Sequence, residues 1–373
     1  MQHLRIFVSE FGNAPYACAH RYNALLELFL ENKDPIKLSV VTSLGKMQKQ
    51  SFPISRFWTL NMNCREGSLV FRVLKELIYG LFSFLSLFFD KHKMVIISVP
   101  NFLSGLIICF GCRLLRIPYC FDLRDLYPDS YVLGNLLSEK GVIFKFLYRL
   151  SISQYKEARC LFVCTKGIGQ KLQLRGLNQN KIICITNGFP KTICDGIDKN
   201  VEKYKRDIIF HGTLGKMQNI NYLSLLIKSL PEYSFTIIGD NQNLHSLKKE
   251  NYQNLLILQR MNYLETLSIV ANHKIGLCIR NGTWYDGISL PVKIFEYLGL
   301  NLHVIGFPET EFSKDIKLKN ILTEFAHFDI PKIKEKIKEI IEKKSFFNDA
   351  PKYLSREFQS NIFRRKIFDV LSS

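Results

Sequence analysis

"MVIISVPNFLSGLIICFGC", residues 94–112, decides between two architectures. Taken whole, the stretch carries no charge and approaches the roughly 20 apolar residues that cross a bilayer. Taken in parts it reads differently. "MVIISV" is short and rich in β-branched residues, Pro100 and Asn101 interrupt it, and "FLSGLIICFGCRLLR" resumes with helical character. A buried strand, a turn and a buried helix account for that pattern better than a membrane span does. The stretch is then one strand–helix unit, and its neighbours should repeat it.

They do. In the first half of the chain "LRIFVS", "IKLSVVTS", "MVIISV", "IPYCFDL", "CLFVCT" and "KIICITNG" read as strands. Helical patterns such as "AHRYNALLELFLE" and "VIFKFLYRLSISQYKEA" lie between them. Residues 190–206, "PKTICDGIDKNVEKYKR", are polar and lysine-rich. The pattern then restarts with "DIIFHGT", "YSFTIIGD", "NLLILQR", "KIGLCIR" and "LHVIGF", separated by helices that include "NINYLSLLIKSL" and "YLETLSIVANH". Such alternation makes a parallel sheet with helices on both faces. The expected organisation is a first α/β domain over 1–190, a linker over 191–206 and a second α/β domain over 207–350. An amphipathic segment at 351–373, ending in "SREFQSNIFRRKIFDVLSS", is expected to return to the first domain. Two Rossmann-like domains with parallel sheets, facing each other across a cleft, are the expected fold.

Composition agrees with this. A chain of 373 residues exceeds what one core usually serves, and 47% apolar residues with 13% aromatics suffices for two. The opening "MQHLRIFVSEF" lacks the parts of a signal peptide, and ten cysteines follow no framework of spacings, so a reducing cytoplasm is expected. The formal charge of +18 admits nucleic acid, an anionic membrane or a phosphorylated small molecule. No arginine-rich arm interleaved with aromatics is present, which argues against nucleic acid. The basic run "IPKIKEKIKEIIEKK" reads as a solvated helix face. Upstream, "LIYGLFSFLSLFF" (77–89) is too short to span a bilayer; burial is the favoured reading, with a membrane-interface helix as the alternative.

In open α/β sheets ligands bind beyond the carboxyl ends of the strands. Those positions hold "EFGN" (10–13), "DLRDLYPDS" (122–130), "TKGIG" (165–169), "TNGF" (186–189), "HGTLGK" (211–216), "GDN" (239–241), "QRMN" (259–262) and "RNGTWYDG" (280–287). Any one of them is also what a tight turn requires. The loop "HGTLGKMQN" stands between strand and helix, where backbone N–H groups face an anion, and Lys216 adds a full charge. In "RNGTWYDGISLPVKIFE", Pro291 suits the first turn of a helix. Lys293 then sits on that turn, and Glu296 follows on the same face about 5 Å further along the axis. That offset suits a diphosphate at the helix mouth and a ribose deeper in. The plain alternative is a Lys293–Glu296 ion pair worth a few tenths of a kcal/mol.

Taken together, "FHGTLGKMQN", "FTIIGDN" and "GISLPVKIFEYLGLNLHVIG" resemble the donor-binding half of family-four, GT-B-fold retaining glycosyltransferases. "DLRDLYPDS" resembles a segment of members that act in surface-polysaccharide (capsule and O-antigen) assembly, with Tyr127 where those carry Trp. "APYACAHRYNALLELF" is similar to the family's N-terminal loop and first helix. The resemblance covers most of the chain and is strongest over 206–310. It implies a GT-B fold and transfer of a sugar, of hexose type, from a nucleotide-sugar donor with retention. It also implies a lipid-linked or growing glycan acceptor and no obligatory metal or other cofactor, while the net positive charge and the aromatic-rich 77–89 segment place the expected work at the inner face of the cell membrane, on an anionic surface. Glu296 would bind the donor ribose.

There are departures from the family pattern. The position eight before Glu296, commonly a second glutamate, is Ile288; Asp286 is the nearest acid. Thr213 stands where an arginine is usual, and the lysine expected near Gln218 is missing. Lys216 and Lys293 would therefore stabilise the leaving diphosphate, with Asp125 contacting the acceptor or the sugar. Gly12, Gly212, Thr213, Gly239, Arg260, Arg280, Asp286 and Pro291 complete the expected donor-binding set. A nucleotide-sugar epimerase of the same fold, or a non-catalytic scaffold subunit, are the competing expectations. Cys109 and Cys112 form a C-x-x-C inside an apolar stretch without a second pair, so they read as core residues. Of His20, His211 and His303, only His211 touches the expected site.

Overall fold

The computed structural model describes residues 2–12, 17–45, 54–64, 68–99, 102–198, 201, 205–215, 217–239, 243–342 and 350–372. The chain divides into two compact units, Met1–Thr186 with Gln359–Ser373, and Asn187–Phe358. Each is a parallel sheet clad in helices, as the alternating pattern requires.

In the first unit the strands are β1 (Gln2–Glu10), β2 (Ile36–Leu44), β3 (Ile54–Thr59), β4 (Met94–Val99), β5 (Tyr119–Leu123), β6 (Cys160–Val163) and β7 (Ile182–Cys184). They lie in the order β3-β2-β1-β4-β5-β6-β7, all parallel. The helices are α1 (Ala17–Glu31), α2 (Leu69–Ser86), α3 (Phe102–Leu114), α4 (Asp129–Leu133), α5 (Val142–Glu157), α6 (Lys166–Leu174) and, in the second unit, α7 (Lys191–Asp195). "MVIISV" became β4 and "FLSGLIICFGCRL" became α3, so the stretch 94–112 is a strand–helix unit; its expected turn at Pro100–Asn101 lies outside the described residues. Central strands read as unbroken apolar runs because helices cover both faces. Ile6, Ile96, Cys120 and Phe162 share a core with Tyr22 and Leu26 of α1. Cys109 and Cys112 of α3 are buried free thiols.

The second unit has β8 (Arg206–His211), β9 (Phe235–Gly239), β10 (Leu255–Gln259), β11 (His273–Ile279), β12 (His303–Phe307) and β13 (Leu322–Glu324). Their order is β10-β9-β8-β11-β12-β13, again all parallel. Its helices are α8 (Ile220–Ser229), α9 (Asn243–Lys249), α10 (Tyr263–Val270), α11 (Trp284–Ile288), α12 (Val292–Gly299) and α13 (Ile330–Glu342). The last helix, α14 (Arg356–Ser372), places Phe363, Ile367 and Leu371 in the core of the first unit.

Both sheets reverse direction once, between β1 and β4 and between β8 and β11. That switch point is where a doubly wound sheet opens a crevice at its carboxyl edge. In the second unit it brings the loops after His211 and Ile279 side by side.

One expectation fails in the first unit. Residues 77–89 are not buried: Leu77, Ile78, Leu81, Leu85, Phe88 and Phe89 are all exposed. The helix turns Tyr79, Gly80, Ser83 and Ser86 inward instead. Gly80 lets α3 approach closely, Tyr79 reaches the sheet and Ser86 meets Arg5 of β1, while most of the large apolar side chains face out.

Candidate functional site

The site in the second unit is built on α12. Ile294, Phe295 and Leu298 bury one face of this helix in the core, which fixes its rotation. Tyr297 lies flat on β11, where a side chain at Gly276 would overlap its ring at 2.3 Å. The Tyr297 hydroxyl accepts a 3.1 Å hydrogen bond from the His211 N–H, tying the helix to the end of β8. Pro291 stands at the N-cap with an extended backbone, one residue before the helix rather than in its first turn.

With the helix so held, Lys293 reaches over the end of β8. Its ammonium lies 3.7 Å from the centre of the Phe210 ring and is shut off from water. Among the described residues it has no hydrogen-bond partner. Burial brings its pKa down to about 8, with Arg280 acting in the same sense against Cys278 and Glu296. Facing it is Gly212 at φ +105, a conformation that side chains rarely adopt. Gly239 closes against that loop so tightly that a Cβ there would come within 2.7 Å of the Gly212 carbonyl oxygen. Two glycines thus leave bare backbone at the adjoining ends of β8 and β9, next to an unpartnered cation. Thr213, exposed, follows on the same loop.

Glu296 is buried one turn further along, and it does not pair with Lys293. The Tyr263 hydroxyl donates to its Oε1 at 2.9 Å, and Arg356 in turn donates to the Tyr263 oxygen at 3.4 Å. Burial raises the pKa of the carboxyl group against the opposing pull of the Tyr263 hydrogen bond, Arg356 and Lys293. His211 Nε2 stands 3.3 Å from Glu296 Oε2 without a hydrogen bond between them. Burial and the charge of Lys293 push His211 down to about 3, so its ring is neutral at ordinary pH and the contact is no ion pair.

The remaining expected residues fall into three groups. Arg280 and Asp286 neutralise each other inside the unit: their side chains approach to 3.3 Å, and Arg280 also binds Ser289 Oγ at 2.7 Å and the Asp286 carbonyl. Asp286 caps α11 as well, accepting from the Thr283 N–H and hydroxyl at 2.8 Å each. These two shape the loop that leads into Pro291. Arg260 is exposed just beyond β10. Asp125 and Gly12 belong to the first unit. Asp125 is half-buried beyond β5, and the Gly12 N–H is taken by Asn23 Oδ1 at 3.2 Å, which pins the end of β1 to α1. Lys216 lies outside the described residues.

The sequence reading did not name Tyr263 or Arg356. Tyr263 follows the loop "QRMN", already noted as lying at a strand end, so a signal for it existed. Arg356 comes from beyond the second sheet, and only the fold brings it to Tyr263.

A buried, unpartnered ammonium beside bare backbone, with a carboxylate one helical turn away, suits a polyanion followed by a polyol. The ammonium neutralises the first, and the carboxylate accepts hydrogen bonds from the second.

No protein-family model and no curated protein matches the chain. Solved structures do. Sucrose-phosphate synthase from Thermosynechococcus elongatus superposes with a TM-score of 0.71 at 10% identity, over 99% of this chain and 100% of that one. Anabaena HepE, in complex with UDP and glucose, gives 0.68 at 12% identity over 100% of both chains. A UDP-GlcNAc 2-epimerase from Neisseria meningitidis, bound to UDP-GlcNAc, gives 0.61 at 14% identity over 99% of this chain and 100% of that one. At such identities the likeness establishes architecture: two parallel-sheet Rossmann-like domains of seven and six strands, the GT-B fold shared by glycosyltransferases and UDP-GlcNAc 2-epimerases.

Proposed function

We propose that this protein is a glycosyltransferase that takes a sugar from a nucleotide-sugar donor held in its second unit. The observation that carries the reading is the Lys293 ammonium, out of water and without a hydrogen-bond partner among the described residues, over the glycine-lined end of β8. An unpaired buried charge is unfavourable by several kcal/mol, and a diphosphate relieves it. Lys293 would bind the diphosphate and stabilise the negative charge that grows on it as the glycosidic bond breaks. Lys216, four residues after Gly212, is assigned the same task. Glu296, steadied by Tyr263, would accept hydrogen bonds from the ribose hydroxyls. Asp125 is assigned to the acceptor or the transferred sugar.

The finer reading follows the motif resemblance for transfer with retention onto a lipid-linked or growing surface glycan, and the net positive charge and aromatic-rich 77–89 segment for the inner membrane face. Fixed cations would stand in for a metal, so transfer should persist in EDTA. Loss on chelation with recovery on adding Mg²⁺ or Mn²⁺ would reject that part.

Binding is the primary test. A nucleoside diphosphate at 100 times its Kd raises stability by about 2.7 kcal/mol, visible in a thermal-shift panel of UDP, GDP and ADP and their sugars. No shift with any of them in the wild-type protein rejects the reading. The 2-epimerase among the similar structures favours a second reading, nucleotide-sugar epimerisation. Donor consumption without acceptor, giving an isomeric nucleotide sugar, would establish it over transfer.

A further inference from the structure

The helix α2 is amphipathic the wrong way round for water. Over Leu69–Ser86 it buries Tyr79, Gly80, Ser83 and Ser86 and presents leucine, valine and phenylalanine to the outside. Val70 is 75% exposed and Phe71 61%. The inward side is held by shape and hydrogen bonds. A Cβ at Gly80 would lie 3.0 Å from the Ser104 Cα, and the Tyr79 hydroxyl donates to the Val8 and Val41 carbonyls at 3.1 and 2.9 Å. In water, an apolar surface of this extent marks an interaction site.

The surface does not stop at α2. Phe88 and Phe89 continue it past the helix end, and Phe110 of the adjoining α3 is 61% exposed. A further exposed apolar group lies at the start of α5, a helix that packs on α3: Val142, Ile143 and Phe146 are 82%, 64% and 63% exposed. Exposed basic residues stand on the same elements: Arg72 on α2, Lys145 and Arg149 on α5, and Lys140 beside the acid Glu139 just before it, while the Lys75 ammonium on α2 donates to the Asn63 carbonyl at 3.1 Å. No helix among the described residues is long and apolar enough to cross a membrane.

We infer that the outer face of α2, with the start of α5, is a docking surface for an anionic bilayer, its apolar side chains seated in the interface and its lysines and arginines on the headgroups. Apolar side chains with a basic rim fit an anionic lipid surface on both counts, whereas an apolar protein partner would satisfy only the first. The inference deepens the membrane part of the proposed function, but it needs neither donor nor transfer for its test.

The test is co-sedimentation of the full chain with vesicles of phosphatidylcholine, with and without phosphatidylglycerol. Wild type is expected to sediment with the anionic vesicles and to be partly released by salt. Phe71→Glu and Leu81→Glu should each weaken binding on the order of tenfold or more, because a carboxylate must enter the apolar layer. Arg72→Gln and Lys145→Gln should each weaken it roughly fivefold, on anionic vesicles only. Leu225→Glu, which replaces an exposed leucine of the second unit, should change nothing. Wild type that fails to sediment, or an equal loss in Leu225→Glu, overturns the inference. So does a lipid-free dimer that Phe71→Glu converts to monomer, which would assign the face to self-association. A nucleotide thermal shift in the same variants reports the second unit separately, so failure here leaves the donor reading standing, and the reverse.

Discussion

Arg21 in the first unit and Lys293 in the second both lie among apolar side chains at the carboxyl edge of a parallel sheet, yet they are held in opposite ways. Arg21 gives 3.1 Å hydrogen bonds to the Ile185 and Thr186 carbonyls and to Asp122 Oδ1, and stacks over the Phe363 ring. Asp122 also takes the Tyr22 hydroxyl at 3.0 Å. Lys293 has an aromatic ring beneath it and no hydrogen-bond partner among the described residues. The charge of Arg21 is already answered by Asp122, with only its Nε left without a hydrogen-bond partner among the described residues, and the arrangement holds strands and helices together. The second is favourable only when something negative arrives. A buried charge therefore speaks for structure or for ligand according to whether its partners are already present.

The largest expected effect lies in the first unit. Asp122→Ala leaves Arg21 charged and unanswered in the core, and should lower unfolding free energy by about 3–5 kcal/mol in urea titration. A loss under about 1 kcal/mol would mean that the cluster is not what secures the first unit.

Lys293→Met should act in the other direction on stability. The folded pKa of about 8 lies below the ordinary 10.5, so the protonated lysine destabilises the fold at neutral pH. That penalty is present in full below pH 8 and is relieved as pH rises toward 10.5, because there the unfolded chain holds a proton that the folded chain has lost. Wild type should thus gain on the order of 2–3 kcal/mol across this window, and the methionine variant should not. A flat wild-type profile would contradict the burial of the ammonium.

On binding the sign reverses. Lys293→Met should weaken binding of the nucleoside diphosphate that stabilises the wild type by about 30- to 100-fold in calorimetry, the usual range for a hydrogen-bonded charge. Wild-type affinity should hold below pH 8 and decline above it as the free lysine deprotonates. The smallest effect expected in the site belongs to Glu296→Gln. Wild type should prefer that nucleoside diphosphate to its 2′-deoxy analogue by about tenfold, and the glutamine variant should prefer it less, for a loss of about 1 kcal/mol. Equal preference in both proteins would remove Glu296 from the ribose.

Much of this was legible in the residues. The central strands announced themselves as β-branched runs, since a strand covered on both faces has no polar side to confuse it with a loop. β3 and β13 gave no such signal. Both are edge strands: "ISRFWT" mixes half-buried and exposed positions without regular alternation, and "LTE" is three residues long, recognisable only through its pairing with β12. In the site, the placing of Lys293 and Glu296 on one helix behind Pro291 was readable from spacing alone. The partners of Glu296 were not, because Tyr263 and Arg356 are 33 and 60 positions away along the chain. Nor did composition reveal which face of α2 is outward. Gly80 is buried there because α3 comes close at Ser104 and Ile107, and Tyr79 because it reaches the Val8 and Val41 carbonyls; both are properties of packing.

The placement of α14 bears on truncation. Phe363, Ile367 and Leu371 belong to the core that β1 and α1 begin, so that core draws on two stretches far apart in the chain. The second unit, by contrast, is one continuous run, Asn187–Phe358. A chain cut just before Phe363 should therefore keep a protease-resistant second unit beside a first one that is digestible, so that loss of α14 harms the half of the protein that lies farther from it in sequence.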